Sequence, residues 1–122
     1  MSIAYLHREN APKLAYQKTE GKDGVRLPTV VFLPGFKSDM EGSKAIFLEQ
    51  QCRTRGQAYL RFDYSGHGVS DGAFTDGTIG SWMQDTLDII DACTEGPVVL
   101  VGSSMGGWIS LLVALERPDR VK

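Results

Sequence analysis

Three short apolar runs constrain this chain more than any other feature: TVVFL at 29–33, AYLRF at 58–62 and VVLV at 98–101. They are partly β-branched and do not alternate cleanly between apolar and polar, the pattern of strands covered on both faces of a parallel sheet. Parallel neighbours cannot be joined by a tight turn, so the stretches between them must cross over, and both are long enough to do so as helices. The first crossover begins at Ser38, Asp39 and Glu41, with Ser38 and Glu41 at capping-box spacing. It carries Ala45, Leu48 and Cys52 on one face and ends near Gly56. The second sets Ile79, Trp82, Met83, Leu87 and Ile90 on one side and Asp85, Asp88 and Asp91 on the other, which reads as a solvated face. Ahead of these, IAYL at 3–6 and KLAYQK at 13–18 predict an antiparallel hairpin, followed by a turn at EGKDG. No repeat, low-complexity tract or linker divides the chain, so residues 1–122 read as part of one α/β domain.

Charge and composition exclude several functions. A chain that is 42% hydrophobic and 23% charged over 122 residues has enough apolar content for a core. Its net charge of -2, without a local Lys/Arg cluster, offers no footprint for nucleic acid or anionic lipid. MSIAYLHREN lacks the basic flank and apolar stretch of a secretory leader, and no later segment is apolar for long enough to span a bilayer, so a cytoplasmic protein is expected. Cys52 and Cys93 form no C-x-x-C pair and read as buried thiols; no metal or organic cofactor is expected.

The stretch LVGSSMGGWISLL carries the chemistry. VVLV ends at Gly102, and Met105 to Glu116 has helical length, so the small residues between them lie at a strand-to-helix turn. Gly102, Ser104 and Gly106 satisfy G-x-S-x-G, whereas Ser103 would need glycine where Val101 and Met105 stand. So tight a turn strains its central residue, and glycine two positions away on either side removes the collision with strand or helix. The strain lifts a hydroxyl above the sheet edge at a helix N-terminus, where free N–H groups favour developing negative charge. Ser104 is therefore the candidate nucleophile.

In order and placement, FLPGFKSDM, RFDYSGHGVSDG and LVGSSMGGW resemble the α/β-hydrolase superfamily, and in loop style its branch of acyl-glucuronide esterases and palmitoyl-protein thioesterases. The resemblance implies a partial α/β-hydrolase fold: a three-layer sandwich with central parallel strands and the N-terminal hairpin. It also implies an oxyanion hole made by the backbone amides of Phe36 and Met105. The expected activity is hydrolysis of a small-molecule or acyl-protein ester or thioester through an acyl-enzyme.

Other readings of these motifs fail. No Lys follows the glycines at the position a phosphate loop needs, and Gly66, Gly68 and Gly72 miss G-x-G-x-x-G by one position. The last helix is apolar almost all round, from Met105 and Trp108 to Leu115, and reads as a central buried helix. The departure from the family is a missing base. In this superfamily the order is Ser, acid, His, yet no histidine follows Ser104. Asp119 lies roughly 20 Å up the helix at about 1.5 Å per residue. His67, whose loop emerges at the same sheet edge, belongs by resemblance to a structural turn, and His7 lies in the hairpin. The chain therefore reads as the front part of a hydrolase, nearly inert alone, with ERPDRVK approaching a further strand. A non-catalytic binding domain that keeps the scaffold is the alternative. The open edge left at 98–101 predicts self-association.

Overall fold

The three apolar runs form the middle of the sheet in the computed structural model, which describes residues 3–122. The elements are β1 (Ala4–Arg8), β2 (Ala11–Thr19), β3 (Thr29–Leu33), α1 (Ser43–Arg55), β4 (Tyr59–Phe62), α2 (Ile79–Cys93), β5 (Val98–Gly102) and α3 (Met105–Glu116). A single 3-10 turn at Phe74–Asp76 precedes α2. Among the described residues the sheet order is β1-β2-β4-β3-β5. The β1–β2 hairpin joins β4 antiparallel, while β3 runs parallel to both β4 and β5.

Side chains alternate across the pleat, so each apolar run feeds two cores. Val31, Leu33, Leu60 and Phe62 pack with Leu87 and Ile90 of α2 and Ile109 and Val113 of α3. Val30, Phe32 and Tyr59 face Ala45 and Cys52 of α1. The result is three layers, with α1 on one face of the sheet and α2 and α3 on the other.

Several expectations needed correction. The first crossover does not start at Ser38: α1 begins at Ser43, its N-cap is Gly42, and no side chain caps it. Ser38 N donates to Gly35 O at 3.1 Å, and Asp39 Oδ1 takes the Glu41 amide at 2.8 Å. The local bonds thus build a turn rather than a helix start. The expected end is met, because Gly56 adopts φ +70° and closes the helix with a left-handed cap. In α2, Asp85 is not part of a solvated face. It is buried and ion-paired to Arg8 at 2.9 Å, while Asp88 shares the same guanidinium and Asp91 meets Arg117 at 2.7 Å. Cys52 is buried as expected, but Cys93 is half-buried; both thiols are free.

The largest correction concerns α3, which is not a buried central helix. Gly106, Ile109 and Val113 are covered, yet Trp108, Leu111 and Leu115 are 55%, 69% and 79% exposed. The cause is position: among the described residues α3 lies on β5, at one edge of the sheet, and packs mainly against β5, β3 and α2. Beyond β5, Val98 pairs in parallel with Val121, and Lys122 N donates to Val98 O at 2.9 Å. ERPDRVK therefore does lead into strand pairing.

Arg61 is the polar surprise in the middle of the sheet. It is buried in β4, and its guanidinium meets Glu49 at 3.0 Å, Glu41 at 3.1 Å, the Met40 carbonyl at 2.7 Å and Gln17. A charge in this position is tolerated only because several acceptors surround it.

Candidate active site

β3 and β5 are neighbours, but the helix after β3 leaves for one face of the sheet and the helix after β5 leaves for the other. The chain parts at this point, and a crevice opens beyond the carboxyl ends of the two strands. Two turns meet there. Leu33 pairs with Gly102, Ser103 N donates to Leu33 O at 3.1 Å, and a Cβ built on Gly35 would lie 3.5 Å from Ser104 Cβ. The structure thus brings the PGF turn against the serine that the G-x-S-x-G spacing selects.

Ser104 is the N-cap of α3 with φ +56° and ψ -116°, a region that L-residues avoid at a cost on the order of 1–3 kcal/mol. The flanking glycines make this possible. A Cβ on Gly102 would overlap the Gly106 carbonyl, and one on Gly106 would overlap the Leu33 and Pro34 carbonyls. Ser104 is exposed, and its hydroxyl makes no hydrogen bond among the described residues. Ser103 instead takes a bond from Lys44 Nζ at 3.2 Å and lines a cavity of about 240 Å³.

The amides beside this serine divide into used and unused groups. Gly106 N donates to Ser103 O and Gly107 N to Ser104 O, both at 2.9 Å. Neither Met105 N nor Phe36 N donates to any acceptor among the described residues. Phe36 occupies the second position of a turn closed by the Ser38-to-Gly35 bond, and Lys37, the third, has φ +60°. That combination marks a type II turn, normally a glycine position.

The PGF turn is held from outside, by residues that sequence reasoning did not single out. The Tyr64 hydroxyl donates to Pro34 O at 2.8 Å. Asp63 receives the Met40 amide at 2.8 Å on Oδ1 and the Val69 amide at 3.0 Å on Oδ2, clamping this loop to the GHG loop. Burial pushes the Asp63 carboxyl above the usual carboxylate range, and the two amides pull it partly back. Gly68, at φ +49°, keeps the space beside that carboxylate free of a Cβ. Asp85 Oδ2 accepts from both the amide and the hydroxyl of Ser65 at 2.8 Å and so ties α2 to the same loop. The only signal for these roles was that Asp63 and Tyr64 stand inside RFDYSGHG.

His67 is 4% exposed, its Nδ1 faces Ser65 O at 3.1 Å, and its Nε2 has no partner. It is sealed among aromatic rings, which suits a structural residue and not a proton acceptor for an exposed hydroxyl. His7 is exposed on β1, Glu116 ends α3, and Asp119 lies beyond it; none of them joins the turn. Among the described residues no group of His, Cys, Asp and Glu has the geometry of a metal site.

The model of the alpha/beta hydrolase family matches residues 30–121. The mouse palmitoyl-protein thioesterase ABHD10, mitochondrial, is 46% identical over 120 residues, covering 98% of this chain and 39% of that protein. Its human counterpart is 47% identical over 120 residues, covering 98% and 38%. Among solved structures, mouse alpha/beta hydrolase domain-containing protein 10 superposes with a TM-score of 0.93 at 45% identity, over 99% of this chain and 47% of that one. A protein from Agrobacterium vitis S4 gives 0.90 at 35%, over 99% and 49%. The chain thus spans about two fifths of the length of the curated relatives it matches. One expectation is overturned: these relatives are named as mitochondrial, which contradicts the cytoplasmic placement. That placement rested on finding no leader in MSIAYLHREN, and a stretch matching only part of its relatives carries no such information.

Proposed function

This chain belongs to the alpha/beta hydrolase family, and from that premise we propose that it is the nucleophile-bearing segment of a hydrolase of acyl thioesters or esters. Ser104 Oγ attacks the acyl carbon, the amides of Phe36 and Met105 hold the oxyanion, and the C–S or C–O bond breaks as the thiol or alcohol departs with the serine proton; water then attacks the acyl-enzyme, releasing the acid and returning a proton to Ser104. The observation that carries this reading is the strained backbone of Ser104, φ +56°, set against Gly35 with two unused amides alongside. Strain of this kind persists only where the surroundings enforce it, and here it presents an exposed hydroxyl at a helix N-terminus. The thioester preference and a mitochondrial setting are taken from the relatives named palmitoyl-protein thioesterase.

The 122 residues hold no histidine after Ser104. An unassisted hydroxyl is a weak nucleophile, and losing the base costs about a millionfold in the serine-protease case. The chain alone is therefore nearly inert, and its contribution is read in a chimaera that replaces the matching 120-residue stretch of the mouse relative. The expected result is hydrolysis of a palmitoyl thioester within about tenfold of the parent, abolished by Ser104→Ala and spared by Ser103→Ala. A folded chimaera whose Ser104 a fluorophosphonate does not label contradicts the proposal.

A further inference from the structure

One buried titratable side chain is left over from the proposed chemistry. His67 sits in contact with three of the side chains that support the PGF turn. Its ring lies 5.4 Å from Tyr64, 5.2 Å from Phe74 and 5.1 Å from Trp82, centroid to centroid, in edge-to-face arrangements. Tyr64 holds the Pro34 carbonyl through its hydroxyl. Phe74 and Trp82 hold the Phe36 ring edge-on at 5.2 and 6.1 Å, although that ring is itself 55% exposed. His67 Nδ1 and Trp82 Nε1, at 3.1 and 3.2 Å, share one acceptor, the Ser65 carbonyl. With the Nδ1 proton committed to that carbonyl, Nε2 is left as a buried lone pair without a donor. A buried polar atom left without a partner costs stability, so stability alone does not explain it.

We propose that His67 is a positioning residue: it is the hub that holds Tyr64, Phe74 and Trp82 against Pro34 and Phe36 and so fixes the direction of the Phe36 N–H beside Ser104. The inference deepens the oxyanion reading of Phe36 and rests on it. His67 touches no substrate and moves no proton. Aromatic pairs prefer edge contacts at the centroid separations seen here, so the imidazole orients its three neighbours as well as filling space. The other half of the site does not depend on this hub, because Met105 is set by the glycine-flanked turn of α3.

The test is backbone NMR of the ligand-free, ¹⁵N-labelled 122-residue chain, comparing the two amides. In the parent chain both Phe36 and Met105 are expected to be rigid, with order parameters of about 0.85. In His67→Ala the Phe36 value falls below about 0.6 while Met105 stays rigid. His67→Phe, which restores a ring without the Nδ1–H, recovers most of the Phe36 rigidity. Phe74→Leu loosens Phe36 in the same selective way and carries the test if His67→Ala does not fold. Equal loosening of Phe36 and Met105, or an unmoved Phe36 in folded variants, overturns the proposal. The reading of Phe36 as an oxyanion donor fails separately. If Phe36 loosens selectively while Ser104 of the chimaera resists fluorophosphonate, the positioning stands and the chemistry falls.

Discussion

The two turns that meet at the carboxyl end of the sheet are shaped by opposite means. At Ser104 the turn is made by removing side chains: Gly102 and Gly106 let strand and helix approach so closely that any Cβ would overlap a carbonyl. At Gly35–Ser38 the turn is made by bringing side chains in. Tyr64 holds Pro34, Asp63 and Arg61 hold the two backbone groups of Met40, and aromatic rings hold Phe36. A turn set by main-chain sterics is rigid and intolerant of any added atom. A turn set by tethers loses its definition gradually, one bond at a time.

The sharpest way to break that contrast is a single methyl group. Gly106→Ala places a Cβ into the Leu33 and Pro34 carbonyls, and backbone cannot step aside as a flexible side chain can. A destabilisation of about 3 kcal/mol or more is expected in urea unfolding. A value near zero would mean that the two turns are not in contact.

Asp63→Asn comes next. The amide keeps one acceptor but turns an NH₂ toward a second N–H, so either Met40 or Val69 loses its partner inside the core. The expected loss is about 2 kcal/mol, with amide shifts at Met40 and Val69 and none at Ser104. Tyr64→Phe removes one buried hydroxyl bond to Pro34 and should cost about 1 kcal/mol in the same unfolding measurement, leaving Ser104 unmoved.

The smallest effect is a pH dependence. The folded Asp63 carboxyl titrates above the ordinary carboxylate range because it is buried, so it binds its proton more tightly in the fold than in the unfolded chain. Its contribution to stability therefore rises as pH falls through the window just above that range. Asp91 behaves oppositely: the hydrogen bond from Arg117 holds it low, and its stabilisation is present above the ordinary range and lost as pH falls through the lowered value. The gap between the parent and Asp63→Asn should widen as pH drops from neutral through the first window. A gap that narrows there contradicts the burial of an ionised Asp63.

The same contrast explains what was legible in the sequence. The strand runs, the span Met105–Glu116 and the strained turn centred on Ser104 rather than Ser103 are all local patterns, and glycine spacing states a steric demand directly. Tethers have no local pattern. Tyr64 is 30 residues from Pro34, Asp63 is 23 from Met40, and Asp85 is 20 from Ser65, so their roles exist only after the sheet has formed. Asp85 was misread for this reason: helical spacing set it beside Asp88 and Asp91, and only the fold brings Arg8 and the Ser65 loop to it. Helix α3 failed differently. Its composition fits a buried helix, but its exposure depends on lying over the outermost strand of the described sheet.

The most direct test of the central idea, that the tethered turn and the glycine turn deliver their amides to one point, is a crystal structure of the chimaera phosphonylated at Ser104. The expected result is a phosphoryl oxygen about 2.7–3.1 Å from both Phe36 N and Met105 N, with Ser104 keeping its positive φ. A phosphoryl oxygen turned to solvent, or bound by one amide with the other more than a hydrogen bond away, would contradict it.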